Sequence, residues 1–165
     1  MPTEELADQP AELPSPTVVL VDGSEVGWHA LRFAARRAAA SGCPIICVAV
    51  TPPRLERGHA AHFDPDSNLL DAEFADGILS HAAALCAQVP VEAVMVHRIG
   101  RPVAALADEA KDRAAACIVV GRRPPLNGFS LPDLAKQLEA LAGITVHAVE
   151  LPDRPLPEPA RPPAS

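Results

Sequence analysis

The 165-residue chain has no tyrosine, one tryptophan and four phenylalanines, so aromatics make up only 3% of it. A core cannot be built around rings here. It has to come from alanine and aliphatic side chains, a mix that suits helices packed tightly against a sheet. Basic residues are also scarce: 14 Lys and Arg face 21 Asp and Glu, for a net charge of −7. That balance excludes nucleic acid and anionic membrane surfaces as expected partners, because both demand clustered positive charge. No long apolar run exists. The longest, around Ile45–Val50 and Ala114–Val120, are far too short to span a bilayer. The opening Met1-Pro2-Thr3-Glu4-Glu5 lacks the basic and apolar regions of a signal peptide. A soluble cytoplasmic protein is expected. The four cysteines include no Cys-x-x-Cys pair, and Cys47 and Cys117 lie inside apolar runs. They read as reduced thiols that behave as small hydrophobes. His59 and His62 sit in a polar stretch with no cysteine nearby, and two ligands do not close a metal site. No metal is expected.

What is present is a 48% apolar chain of a length that favours one domain with a sizeable core. Residues 1–15 are acidic and carry prolines, and residues 152–165 are Pro-rich without apolar periodicity. Neither segment can bury enough surface to offset its ordering entropy. Both are expected to be disordered tails around a domain spanning 16–151. The C-terminal tail reads either as a bland extension or as a Pro-rich ligand for a partner.

Inside the domain, strands alternate with helices. Thr17–Val21 reads as a strand, and Ser24 as the cap of a helix with Leu31, Ala34, Ala35 and Ala38 on its apolar face. Gly42 ends that helix. Ile45–Val50 is a second buried strand, closed by Pro52 and Pro53. A long second helix buries Phe74, Ile78, Ala82 and Leu85. Val91–His97 is a more exposed third strand. Gly100 and Pro102 open a third helix with Val103, Leu106, Ala107 and Ala110 inward. Cys117–Val120 is a fully apolar, central fourth strand. Leu134, Leu138 and Leu141 line a fourth helix that Gly143 stops, and Thr145–Val149 is the fifth strand. This alternation predicts an α/β, Rossmann-like fold, with a parallel sheet and helices on both faces. Ligands of such sheets bind outside the carboxyl ends of the strands, at the switch point. Here those ends are Asp22, Val50 and Gly121.

At those ends the chain resembles a nucleotide site that is half built. One strand runs into Asp22-Gly23-Ser24, and another ends at Gly121. More glycines and a hydroxyl should follow Gly121 if phosphates were wrapped there. Instead Arg122, Arg123, Pro124 and Pro125 follow, and Asp133 stands near the next helix. Proline has no N–H to donate, and an aspartate repels phosphate. Ser130, Pro132 and Asp133 read as a Ser-x-x-Asp start of the fourth helix, a relative of the capping box, with Ser130 as the cap. Asp22 either satisfies its turn or meets a ligand. Val50 belongs to the core or to the contact surface. Arg122 and Arg123 are solvated charges or anion ligands. Trp28 reads as core packing or a dimer contact rather than a ligand stack. Ser24 reads as a cap and not a nucleophile, since no His and carboxylate stand at a recognisable catalytic spacing. The chain is therefore not expected to be an enzyme.

These pieces, in this order, resemble the universal stress protein family. The carriers are Val21-Asp22-Gly23-Ser24 before Ala30-Leu31, the Pro52-Pro53 strand end, Gly100 and Pro102, Ile118-Val119-Val120-Gly121, and the Thr145–Val149 strand. The resemblance implies a five-stranded parallel sheet of order 3-2-1-4-5, and a homodimer through the last strand. Some family members bind ATP with Gly-x2-Gly-x9-Gly-Ser/Thr after the fourth strand. Gly121 matches the first glycine. Pro124 stands at the second, and the closing Gly-Ser falls on Leu134-Ala135, or on Pro132-Asp133 if the loop is shorter. Asp22 and Val50 match positions near the adenosine half, and Arg123 matches a common arginine of the loop. The resemblance thus implies a stress-response protein without ATP that works through protein contacts. The alternative is an adenine-nucleotide binder that uses Asp22, Val50, Gly121 and Arg123.

Overall fold

The structure, a computed structural model, describes residues 14–53, 65–122 and 133–151, with side chains over 65–71 excepted. Five strands and four helices alternate: β1 (Thr17–Leu20), α1 (Glu25–Ser41), β2 (Ile45–Thr51), α2 (Pro65–Cys86), β3 (Ala93–Ile99), α3 (Pro102–Asp112), β4 (Cys117–Gly121), α4 (Leu134–Ala142) and β5 (Thr145–Val149). The strands form one sheet of order β3-β2-β1-β4-β5, and every neighbouring pair is parallel. The chain reverses its direction of travel across the sheet between β1 and β4, which opens a crevice at their carboxyl ends.

The side-chain period of two sends alternate strand residues to opposite cores. Val19, Val21, Cys47, Ala49 and Val119 pack under α1 and α2. Val18, Ile46, Val48, Ile118 and Val120 pack under α3 and α4. Alanine dominates the inner faces of α1 and α3, which brings those helices close to the sheet and explains how a chain with so few aromatics fills its core. The α1 stripe of Leu31, Ala34, Ala35 and Ala38 is buried as expected. Gly42 and Gly143 end α1 and α4 with left-handed φ of 68° and 65°, where a side chain would be strained.

Three local expectations are corrected. Phe74 is 64% exposed, because the inner stripe of α2 runs through Ala75, Ile78, Leu79, Ala82 and Cys86. Leu141 is also exposed, because Leu138 and Ala142, four residues apart, take the inner face of α4. The third strand begins at Ala93 rather than Val91 and runs to Ile99.

One charged cluster ties the β3 edge to α3. The Glu109 carboxylate, nearly buried, accepts from Nε of Arg98 on β3 and from Nε of Arg113 just past α3, each at 2.7 Å. Arg98 also reaches Asp112 at 3.3 Å. No buried side-chain nitrogen or oxygen among the described residues lacks a hydrogen-bond partner.

Candidate functional site

The crevice between the ends of β1 and β4 is framed by the first turns of α1 and α4. β1 leads into Asp22-Gly23-Ser24. Gly23 has φ of +82°, a left-handed turn that a larger residue would strain. Ser24 is the N-cap of α1, and its Oγ accepts from the Gly27 N–H at 3.1 Å. Ser24 in turn donates both its N–H, at 3.0 Å, and its hydroxyl, at 2.6 Å, to Asp22 Oδ1. The Ser24 hydroxyl is thus consumed in capping, which bears out the cap. For Asp22, one carboxylate oxygen is committed to the turn.

Two close approaches build this corner. A Cβ on Gly27 would overlap Asp22 Oδ1, so only glycine admits the carboxylate over the helix end. A Cβ on Gly121 would lie 2.9 Å from the Val26 carbonyl oxygen and 3.2 Å from the Gly27 nitrogen. The first turn of α1 is therefore pressed between Asp22 and the end of β4. Gly121 is small for a structural reason, whatever it does for a ligand. Gly27 escaped sequence reasoning. Its only signal is its distance in sequence from Asp22, which means nothing until the turn is folded. The exposed Phe74 and the core residue Ile78 both stand beside Gly23, with the Ile78 side chain 3.2 Å from where a Gly23 Cβ would be. They form a lip of α2 at the crevice.

The α4 side is occupied by charge. Asp133 itself, and not Ser130, is the N-cap of α4, and its Oδ1 accepts from the Ala135 N–H at 3.1 Å. The expected cap is corrected because Asp133 has extended backbone and lies one residue before the helix, where its short carboxylate reaches the N2 amide directly. Its Oδ2 pairs with Arg122 Nη2 at 2.9 Å. Arg122 also comes within 3.8 Å of Glu150. A helix N-terminus carries about half a positive charge. At both helix ends that face the crevice, a carboxylate of the chain already meets it.

The other site residues fare differently. Val50 is half-buried and packs against the α3/α4 core. Arg123, Pro124, Ser130 and Pro132 lie outside the described residues, as do His59 and His62. Trp28 packs partly against the α1/α2 core and meets His81 edge-on, with ring centroids 4.5 Å apart. This is helix–helix packing. Among the described residues no cluster of three His, Cys, Asp or Glu could hold a metal, and no helix is long and apolar enough to cross a membrane. A groove of about 430 Å³ lies at the opposite end of the sheet, lined by Thr17, Arg37, Cys43, Cys117 and His147. It is far from the switch point and is not part of this corner.

The sheet order, the switch-point crevice and the Asp-Gly-Ser turn define a doubly wound α/β domain. The universal stress protein family profile matches residues 15–150, so the chain belongs to that family. Solved structures agree. The universal stress protein from Archaeoglobus fulgidus is 27% identical, with 82% of this chain and 93% of that one covered and a TM-score of 0.62. The Archaeoglobus fulgidus protein in complex with dAMP is 25% identical, with coverages of 83% and 98% and a TM-score of 0.61. A family protein from Burkholderia pseudomallei, at 24% identity, shares the fold, with coverages of 84% and 98% and a TM-score of 0.64. No curated protein matches the chain in a sequence comparison.

Proposed function

We propose that this chain is a non-enzymatic regulatory member of its family that does not hold ATP and acts in the cytoplasm through protein contacts, as a homodimer, in the stress response. The observation that carries this reading is Asp133. Its carboxylate caps α4 and binds Arg122, so the helix end that would face a triphosphate is already neutralised by the protein. A phosphate arriving there must displace the Arg122 pair or sit beside a like charge. Prolines 124 and 125 remove donors from the connecting loop. The dimer reading rests on β5, an edge strand that among the described residues pairs only with β4, although its Val146 N–H is met by Glu139 Oε1 at 3.4 Å. Val146 and Val149 are half-buried against the two cores, so the edge would join largely through backbone pairing.

One observation favours a second reading. The Archaeoglobus fulgidus protein was solved with dAMP, and a nucleoside monophosphate asks far less of a phosphate loop than ATP does. On that reading Asp22, Val50, Gly121 and Arg123 hold the nucleoside half. Calorimetric titration with ATP, ADP and AMP, with and without magnesium, separates the two. Binding of AMP alone supports the second reading, and magnesium-dependent ATP binding overturns the first.

A further inference from the structure

The core under α1 and α2 contains a pair of groups that the crevice does not use. Cys47, in β2, is 0% exposed, and Cys86, the last residue of α2, is 2% exposed. Their sulfurs are 3.9 Å apart, although 39 residues separate them in the chain. Cys43 and Cys117 instead each approach the Thr17 hydroxyl, at 3.6 and 3.7 Å. All four thiols are free. A disulfide needs sulfurs at about 2.05 Å, so the Cys47 and Cys86 sulfurs have roughly 2 Å to close.

We propose that Cys47 and Cys86 form an oxidation site, at which a peroxide-class oxidant produces an intramolecular disulfide that fastens the end of α2 to β2. The two sulfurs share one hydrogen bond, and either can donate it. The hydrogen bond to Cys86, and then burial, hold the Cys47 thiol protonated, far above the ordinary thiol range. Accepting that bond draws Cys86 below its ordinary value, against burial that would raise it. Cys86, which ends its helix beside the exposed Ala87 and Gln88, is the sulfur that meets an entering oxidant first. It attacks hydrogen peroxide; the O–O bond breaks, an S–O bond forms, and the sulfur loses two electrons to become a sulfenic acid. The peroxide is reduced, and its second oxygen leaves as water with the thiol proton. The Cys47 sulfur then attacks the sulfenic sulfur. An S–S bond forms, the S–O bond breaks, and the departing hydroxide takes the Cys47 proton as a second water. Two thiols and one peroxide give one disulfide and two waters.

Access is local. Cys86 closes its helix, and Ala87 and Gln88 beyond it are exposed. Opening of that last turn admits a small neutral oxidant. The same helix carries Phe74 and Ile78 at the Gly23 turn, so a bond at its far end restrains the lip of the crevice.

The test treats the folded full-length protein with hydrogen peroxide and then denatures it for thiol counting. The expected count falls from four to two, and the intact mass falls by the two thiol hydrogens. Peptide mapping joins Cys86 to the peptide that carries Cys47, and dithiothreitol reverses all three changes. The melting temperature of the oxidised form rises and returns on reduction. C86S and C47A each abolish the crosslink, whereas the C43A/C117A double variant retains it. Should a core variant fail to fold, the wild-type peptide map still decides. Four surviving thiols, oxygen uptake without a crosslink, or a bond that uses Cys43 or Cys117 would each overturn the proposal.

Discussion

Replacing Glu109 with glutamine keeps its volume and removes its charge. The carboxylate side chain is 4% exposed, and its two arginine partners are 36% and 37% exposed. Removing one partner of a fully buried ion pair costs about 3–5 kcal/mol. That figure is too large here, since both guanidinium groups can recover hydration once the carboxylate is gone, and exposed pairs contribute at most about 1 kcal/mol. An intermediate loss of about 1–2 kcal/mol is expected at pH 7, which for a chain of this size lowers the melting temperature by about 2–8 °C. The effect depends on pH with a definite sign. Burial raises the Glu109 pKa, but the donors of Arg113 and Arg98 outweigh it and hold the carboxyl below its ordinary value. The contribution is therefore fully present above the unfolded glutamate pKa of about 4.3 and is lost as pH falls through the lower folded value. Urea unfolding of the wild type and E109Q should show a gap that is constant near neutrality and closes under acid. An unchanged midpoint at pH 7, or a gap that persists at about pH 2, would refute the reasoning.

Glycine substitutions should split in sign. Gly77 lies mid-helix in α2 with nothing within 4 Å of a built Cβ, so Gly77→Ala should stabilise by about 0.4–1 kcal/mol. Gly121→Ala places a methyl against the Val26 carbonyl and should cost about 1–3 kcal/mol; chemical denaturation measures both, and equal signs would contradict the packing described. Leu106, on the inner face of α3, is fully buried, and Leu106→Ala should cost about 2–5 kcal/mol in the same assay. Light scattering at micromolar concentration should give about twice the 17.3 kDa chain mass if β5 edges pair between two copies. A monomer at all concentrations would remove the dimer.

The strands were legible because the buried ones are unbroken apolar runs bounded by Gly, Pro and Asp. The strand order came from the family resemblance, since nothing in an apolar run states which neighbour it pairs with. Helix faces were less legible. Phe74 and Leu141 carry large apolar side chains one position off the buried stripes, and in an alanine-rich helix the small residue, not the large one, can mark the inner face. At the site, Asp22 and Ser24 were readable because turn and cap chemistry is local in sequence. Gly27 and the Arg122–Asp133 pair were not, because each depends on two elements meeting in space.

On the proposed function, the chain's own charges at Asp133 and Arg122 close the α4 end of the crevice to phosphate. Calorimetric titration of the unmodified protein with ATP and magnesium tests it most directly. The expected dissociation constant is no tighter than about 1 mM, or about −4 kcal/mol. Asp133→Ser should leave that value weak, because the prolines of the loop remain. Micromolar, magnesium-dependent ATP binding by the unmodified protein would contradict the account and make Asp22, Gly121 and Arg123 ligand contacts.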